Sequence, residues 1–200
     1  MMPIEVCPAD AGSGPIAPKE AALLLPSLST RAQLDEIERL RINAARVWAM
    51  RGAVLRRGDL LTEAFVRDLH RRMFGGIWRG AGRYRTNEGG KGWEARRIPG
   101  GVRMFLDDAE GWIRFSTYPV HEAAVRLHHR LRSIQPWSNG NGRHARLLAD
   151  IVVASQGEEP LTWGSRSDPA GSPRAGARYL DAIRAADSGG MERLVDFARS

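Results

Sequence analysis

The stretch Asn139–Arg143, NGNGR, constrains the backbone of this chain more than any other segment. Glycines at alternate positions permit backbone angles that other residues rarely adopt, so a turn here can aim consecutive N–H groups at an anion. The loop leads into an apolar segment of helical period, and the free N–H groups at the start of a helix favour phosphate. The positions that would bury this helix are Leu148, Ile151 and Val152.

Two arginines follow the loop. Arg143 and Arg146 are three positions apart, which predicts that their guanidiniums share one face of the first helical turn. Because a guanidinium can hold two oxygens at once, such a pair suits a di- or triphosphate. The competing interpretation is an ordinary glycine-rich turn whose arginines are only solvated. The position at a helix start, with a second arginine one turn on, favours the anion site.

Apolar residues recur at helical spacing over most of the chain. The first helix is expected to start at Ser29 or Thr30, to run to about Arg51, and to carry an apolar stripe of Leu34, Ile37, Leu40, Ile42, Ala45 and Val47. The others cover about 62–75, 102–115, 121–134, 143–155, 176–186 and 191–198. Trp78–Pro99 has no helical period and many glycines, which predicts a two-stranded flap at about 84–98. The predicted fold class is therefore all-α, a helical bundle with one short β-hairpin flap.

The length of 200 residues fits one domain, or one domain with an appendage. Residues 1–28 hold Pro3, Pro8, Pro15, Pro18 and Pro26 among small residues, which predicts a flexible N-terminal arm before a domain at 29–200. The single cysteine, Cys7, cannot form an internal disulfide, which fits a reducing compartment. No apolar run approaches the roughly 18 residues needed to cross a membrane. We therefore expect a cytoplasmic protein without a membrane partner.

The charge balance favours anionic partners. The chain has 30 Lys+Arg against 23 Asp+Glu, a formal net charge of +7. Nucleotides, nucleic acid and acidic proteins are all compatible with this excess. An arginine-rich proteome would produce the same balance, since only Lys19 and Lys91 are lysines.

The segment Gln135–Arg146, QPWSNGNGRHAR, resembles the signature of the Fic family. That signature reads His-Pro-Phe, any residue, an Asp, Glu or Asn, then Gly-Asn-Gly-Arg, two residues and Arg. The matching residues are Pro136, Asn139, Gly140, Asn141, Gly142, Arg143 and Arg146. The stretches 84–90, 98–108 and 123–134 are similar to the flap, the following helix and the pre-motif helix of such proteins. The chain resembles the subgroup called mobile mystery protein B over about residues 28–200.

The resemblance implies a Fic-like fold and a protein adenylyltransferase, which transfers AMP from ATP to a hydroxyl of a target protein. The implied catalytic positions are Arg143 and the base position, Gln135. The implied ATP-binding set is Asn139, Gly140, Asn141, Gly142, Arg143 and Arg146, with Asn139 as a weak Mg²⁺ ligand. The flap would pair with an extended segment of the target protein. Its expected docking residues are Thr86, Asn87, Trp93 and Ile98.

Three residues depart from the family pattern. Gln135 stands where the family has its histidine, and an amide cannot accept a proton near pH 7, so activity is expected to be impaired. Two interpretations stay open: a natural loss of the base, or a substitution introduced to silence an active protein. Asn139 should weaken Mg²⁺ binding, because Mg²⁺ prefers anionic oxygen. Trp137 replaces the usual Phe beneath the loop and needs a partner for its N–H.

Regulation and substitute bases are the remaining questions at the motif. Many Fic proteins carry an inhibitory helix whose Glu pairs with the second motif arginine, and an antitoxin is a possible partner in bacterial toxin–antitoxin systems. The hypothesis here is that the first helix packs near the loop and that Glu36 or Glu38 pairs with Arg146; the alternative is a solvated face. His129 and His144 are weak candidates to replace the missing base.

Two other function classes compete with the enzyme. One is a non-catalytic module of the Fic fold that binds a nucleotide and a protein partner. The other is a nucleic-acid binder that uses the net positive charge, which is the weakest because no DNA-reading motif is present.

Overall fold

The computed structural model describes residues 22–25, 28, 30–87, 92–165 and 173–200. Within these ranges the chain forms eight α-helices and a 3₁₀ turn at Ala95–Arg97. The helices are α1 (Arg31–Ala49), α2 (Gly52–Leu55), α3 (Glu63–Phe74), α4 (Ile98–Arg114), α5 (Val120–Ile134), α6 (Asn141–Ser155), α7 (Pro173–Asp187) and α8 (Met191–Arg199). The all-α prediction is confirmed. No helix in the described ranges is long and apolar enough to cross a bilayer.

The helix ends follow from local chemistry. Thr30 caps α1, and its hydroxyl and the Gln33 side chain satisfy each other's backbone N–H groups. Thr62 caps α3 in the same way through the N–H of Phe65. α4 begins four residues earlier than predicted because Pro99 lies in its first turn, where proline needs no hydrogen bond. The short α2 was not predicted, since four residues carry no readable period.

The motif helix α6 is the central element of the core. It packs along α5 and also contacts α3 and α2, while α5 in turn contacts α4 and α8. Its buried residues are His144, Ala145, Leu147, Leu148, Ala149, Asp150, Ile151, Val152 and Val153. Because nearly every side of α6 is covered, its first turn is held in a fixed place.

The buried face of α1 differs from the predicted stripe. The residues that enter the core are Leu34, Glu38, Ile42, Ala45 and Ala49, at steps of three and four. Leu40 and Val47 are 54% and 62% exposed, so assigning them to the core was wrong. They lie on the opposite side of the helix, and the position that completes the stripe is a carboxylate, Glu38.

The flap prediction falls partly on residues 88–91, which lie outside the described residues. On either side of that gap, residues 84–87 and 92–94 form no strand, Ala95–Arg97 is a 3₁₀ turn, and Ile98 starts α4. The predicted β-hairpin is therefore not seen in the described part. Of the predicted N-terminal arm, residues 23–25 pack against 77–79, with an antiparallel bridge between Leu24 and Trp78.

A second buried carboxylate links α1 to α6. Asp150 accepts from Arg46 Nη1 at 2.7 Å and from Trp163 Nε1 at 2.9 Å. Burial raises the pKa of Asp150 to about 6, against the opposing effect of Arg46. This ion pair lies in the C-terminal half of α6, away from the loop, and it holds α1 beside α6.

The pH dependence of stability should reveal the Asp150 carboxylate. Its folded pKa is raised above its usual 3.8, so the folded state binds the proton between about pH 4 and 6 and stability falls as the pH rises through that window. We expect the wild-type chain to gain stability relative to Asp150→Asn when the pH is lowered from 7 to about 4.5. The measurement is the free energy of unfolding of both chains at each pH; an unchanged difference would contradict this account.

Candidate functional site

The loop between α5 and α6 is shaped by two residues in the left-handed backbone region. Gln135 ends α5 with φ 49°, and Gly140 precedes α6 with φ 74°. The first hydrogen bond of α6 runs from the N–H of His144 to the oxygen of Gly140. The N–H groups of Asn141, Gly142 and Arg143 therefore have no acceptor within the helix, as at any helix start.

The two motif glycines have different roles. A Cβ on Gly140 would lie 2.3 Å from Phe74 Cζ, and its φ is positive, so only glycine fits there. Gly142 has an ordinary helical backbone, and a Cβ there would meet nothing within 4 Å. Gly140 shapes the turn, whereas Gly142 leaves open space in front of the helix.

The side chain of Asn141 closes the loop on itself. Its Oδ1 accepts from the backbone N–H of Trp137 at 2.9 Å, and its Nδ2 donates to the oxygen of the same residue at 2.8 Å. Asn141 can therefore contribute its backbone N–H to a ligand, while its amide group maintains the turn.

Two neutral histidines support the loop from below. The backbone N–H of Gly82 donates to His70 Nδ1, so His70 carries its proton on Nε2 and donates to the oxygen of Asn139 at 3.1 Å. Trp137 Nε1 donates to His144 Nδ1, so His144 donates from Nε2 to the oxygen of Val66 at 3.0 Å. The Trp137 ring stacks on His70, with centroids 4.3 Å apart.

Burial keeps both imidazoles uncharged. Desolvation lowers the pKa of His144 to about 4 and holds the pKa of His70 well below its usual value. The expected partner for the Trp137 N–H is thus His144. Neither ring faces the open side of the loop, which is also why His144 cannot replace a missing base. The Nε2 of His129 instead lies 2.7 Å from Oδ1 of Asp187, which is on α7.

A buried carboxylate occupies the cationic side of the loop. Glu38, on α1, is 3% exposed and accepts from Arg143 Nη1 at 2.5 Å and from Nη2 at 3.3 Å. It also accepts from Trp78 Nε1 at 2.7 Å and from Asn139 Nδ2 at 3.1 Å. Arg143 thus already holds an anion, and that anion belongs to the chain.

The structure corrects two predictions about the arginines. The hypothesis paired Glu36 or Glu38 with Arg146. Instead, Glu38 pairs with Arg143, and Glu36 forms an exposed pair with Arg39. The guanidinium of Arg146 lies 5.2 Å from the ring centroid of Tyr179 on α7. The guanidiniums of Arg143 and Arg146 therefore contact different neighbours, although we predicted that they share one face of the first helical turn. Long side chains three positions apart can turn in different directions.

Asn139, the residue expected to bind a metal, has a neutral side-chain amide as its only ligand group. Asn139 donates its Nδ2 to Glu38, which leaves Oδ1 as its free ligand atom. No group of three His, Cys, Asp or Glu side chains in the described ranges could hold a metal ion. The residues present do not form a dedicated Mg²⁺ site.

A buried arginine ties the base position to both ends of the flap. Arg85 is 6% exposed, and its Nε donates to the oxygen of Gln135 at 2.8 Å. Its Nη1 donates to the oxygen of Asn87 at 2.8 Å and its Nη2 to that of Trp93, while its backbone N–H donates to Pro136 at 2.9 Å. The Gln135 side chain makes no hydrogen bond to the described residues, so it is free to turn toward a ligand.

The predicted docking residues divide into two groups. Thr86 and Asn87 are exposed and Trp93 is half-buried, so all three can be reached. Ile98 is fully buried at the start of α4, and assigning it to the docking surface was wrong. It is an apolar residue of the helix core and was counted as flap because the helix start was placed too late.

Sequence reasoning missed His70 and Arg85. His70 lies on the buried face of α3 among Phe65, Leu69 and Met73, where only its spacing could have marked it as part of the core. The hydrogen bonds of Arg85 reach backbone carbonyl groups, which no sequence pattern reveals.

Comparisons with known proteins bear on this site. Residues 60–153 match the model of the Fic/DOC family. Protein adenylyltransferase Fic of Culex quinquefasciatus is 26% identical over 165 residues, which cover 80% of this chain and 31% of that protein. Protein adenylyltransferase Fic of Drosophila ananassae is 31% identical over 137 residues, which cover 66% of this chain and 26% of that protein. The chain thus spans about a third or less of the curated relatives that it matches.

Solved structures share the fold. Fic-1 (residues 134–508) of C. elegans superposes with a TM-score of 0.62 at 20% identity, covering 90% of this chain and 51% of that one. BepC, a VirB-translocated effector of Bartonella tribocorum with bound AMPPNP, superposes with a TM-score of 0.62 at 16% identity, covering 86% of this chain and 87% of that one.

The motif glycines give a matched pair of substitutions. Gly140→Ala should destabilise the chain by at least about 1–2 kcal/mol, because it combines a left-handed backbone with a clash against Phe74. Gly142→Ala should leave stability unchanged or raised by up to about 1 kcal/mol, because it replaces a helical glycine facing open space.

If the open space in front of Gly142 receives a ligand, Gly142→Ala should still weaken binding of an ATP analogue. Thermal unfolding and calorimetric titration on both variants test this. Equal effects of the two substitutions on stability would contradict the assignment.

Proposed function

We propose that this chain is an AMP-transferring protein of the Fic/DOC family, whose model residues 60–153 match. It binds ATP at the 139–143 loop and moves AMP to a hydroxyl of a target protein. The curated relatives that bear the name protein adenylyltransferase Fic support this activity, and the Bartonella structure with bound AMPPNP supports the nucleotide.

One observation carries the proposal. A guanidinium at the start of a buried helix already holds a buried carboxylate, beside three N–H groups without helical acceptors. This arrangement is an anion site, and a phosphate oxygen would satisfy the same donors as the Glu38 oxygens do. An ordinary solvated turn would have placed Arg143 in water.

Each residue has a limited task in the transfer. The N–H groups of Asn141, Gly142 and Arg143 bind phosphate oxygens, and the Arg143 guanidinium stabilises the charge that builds up on them. Arg146 supports the helix start from its place on Tyr179. Arg85 holds residue 135 at the edge of the loop. Since the described residues form no dedicated metal site, Mg²⁺ would arrive with the nucleotide phosphates, with Asn139 Oδ1 as its protein ligand.

Gln135 limits the chemistry. In the transfer, the target hydroxyl oxygen bonds to the α-phosphorus of ATP, the bond from that phosphorus to the α,β-bridging oxygen breaks, and pyrophosphate leaves. The Gln135 amide can orient the hydroxyl through Oε1, but it cannot take the proton that the hydroxyl loses. The chain is therefore a slow transferase that keeps positioning and charge stabilisation but lacks the base. A positioned base is worth roughly 10²- to 10⁴-fold in rate.

Gln135→His should raise AMP transfer by roughly 10²- to 10⁴-fold, because it returns a proton acceptor to a backbone that Arg85 already holds in place. The measurement is the mass gain of one AMP per chain, or transfer to added protein, after incubation with ATP and Mg²⁺. Gln135→Asn serves as the control and should stay as slow as the wild type. A silent Gln135→His variant that still binds ATP would remove the main support for a transferase.

Glu38 makes α1 an inhibitory element in this proposal. Its carboxylate occupies Arg143, so a nucleotide must displace it before the phosphates can reach the guanidinium. Releasing the contact also frees Asn139 and Trp78, which share the same carboxylate. The inhibitor is thus part of the chain, with no antitoxin required for this contact.

Glu38→Ala should raise ATP affinity by about tenfold or more, since it removes the competing anion. It should also lower stability by about 2–3 kcal/mol, less than the range for fully buried pairs because Arg143 is partly exposed. Arg143→Ala should lower ATP affinity, because the guanidinium that binds phosphate is lost. It should also lower stability, because it leaves Glu38 buried without its cation. Isothermal titration with ATP and denaturant unfolding distinguish the two; unchanged ATP affinity in Glu38→Ala would refute the inhibitory role.

The finer assignments belong to the same proposal. We propose that the chain belongs to the mobile mystery protein B subgroup, which it resembles over about residues 28–200, and that it acts in the bacterial cytoplasm in a toxin–antitoxin setting. The flap, with exposed Thr86 and Asn87, receives an extended segment of the target protein.

The second candidate is a non-catalytic module that binds ATP and a protein partner. The absence of a base at Gln135 favours it. ATP binding by wild type and by Gln135→His, with no label on any protein in either case, would establish it over the transferase.

A further inference from the structure

The geometry points to an acidic target segment as the substrate class of this site. The docking surface is formed by Trp93, Arg97 and Arg130, and it takes a chain segment with carboxylate side chains close to the acceptor hydroxyl. This inference rests on the proposed transfer of AMP to a protein hydroxyl.

The surface consists of one aromatic ring and two cations. The guanidinium carbons of Arg97 and Arg130 lie 5.3 Å and 5.5 Å from the centroid of the Trp93 ring. The ring itself packs on α4, because a Cβ on Gly101 would lie 2.4 Å from its Cζ3. The ring is therefore a fixed platform that is contacted by two cations, Arg130 from α5 and Arg97 from the 3₁₀ turn before α4.

Neither cation is neutralised. Arg97 and Arg130 are both exposed, and neither has a carboxylate partner in the described part of the chain. Neighbouring arginines differ in this respect, since Arg96 pairs with Glu94 at 3.0 Å and Arg126 with Glu122 at 2.8 Å. Two like charges held together without a counter-ion favour an anionic partner.

The surface adjoins the loop. The backbone N–H of Trp93 donates to the oxygen of Ile134 at 3.2 Å, directly before Gln135. Gly92 lies against the Gln135 side chain, since a Cβ at Gly92 would be 2.9 Å from Gln135 Cβ. A segment that places a carboxylate on Arg97 or Arg130 therefore brings its neighbouring residues to the base position.

The test uses three labelled peptides of equal length. Each has a central serine that is flanked on both sides by Glu, by Gln or by Lys. Fluorescence anisotropy measures their binding to the full chain at low salt and at about 0.15 M salt, where the Debye length is about 8 Å. The wild-type chain should prefer the Glu peptide, and the preference should shrink as salt is added.

Two double variants with the same net charge separate local from overall electrostatics. Arg97→Gln with Arg130→Gln should weaken binding of the Glu peptide about tenfold, the scale of two exposed ion pairs. Arg174→Gln with Arg193→Gln removes the same charge from exposed positions on α7 and α8 and should have little effect. Arg97→Glu with Arg130→Glu should transfer the preference to the Lys peptide.

Equal weakening by both Gln doubles, or equal binding of all three peptides to wild type, would overturn the acidic-segment proposal. Circular dichroism and ATP titration on each variant confirm that folding and the nucleotide site are intact. Because peptide binding needs no AMP transfer, a silent Gln135→His variant that keeps the Glu preference refutes the transferase alone.

Discussion

The contact between Glu38 and Arg143 is the interaction on which the arrangement of this site depends. A buried carboxylate costs several kcal/mol unless donors surround it, and here three side chains from different parts of the chain do so. Arg143 comes from the start of α6, Asn139 from the loop and Trp78 from the segment after α3. One side chain of α1 therefore positions the loop, the motif helix and the start of the flap region together.

The support beneath the loop is electrically neutral. His70, His144 and Trp137 form a stacked cluster in which each N–H has an acceptor, and burial keeps the imidazoles uncharged. The positive potential at the loop consequently comes from Arg143 and the helix start, with no competing cation below. Since the N–H groups at the start of α6 are fixed by packing before any ligand arrives, a bound phosphate need not order them, which lowers the cost of binding.

The sequence predicted every described helix except the short α2, and it predicted the loop before α6, because apolar spacing and the NGNGR string are local signals. Thr30 and Thr62 marked helix starts correctly, and Leu148, Ile151 and Val152 are buried as expected. The tertiary partners were not predictable, since Glu38 and Arg143 lie 105 positions apart and each has other arginines or carboxylates closer in sequence. Ile98 was misassigned because a proline in a first helical turn was taken as the end of a flap.

The two ion pairs between α1 and α6 also fix the relative direction of these helices. Glu38 and Arg46 are eight positions apart on α1, and their partners Arg143 and Asp150 are seven apart on α6, in the same order. The two helices therefore run parallel along this contact, with the pairs roughly 10 Å apart by helical rise. An axial slide of α1 cannot break one pair without straining the other. A ligand that draws Arg143 away from Glu38 therefore acts on two helices that the Arg46–Asp150 pair also holds in register.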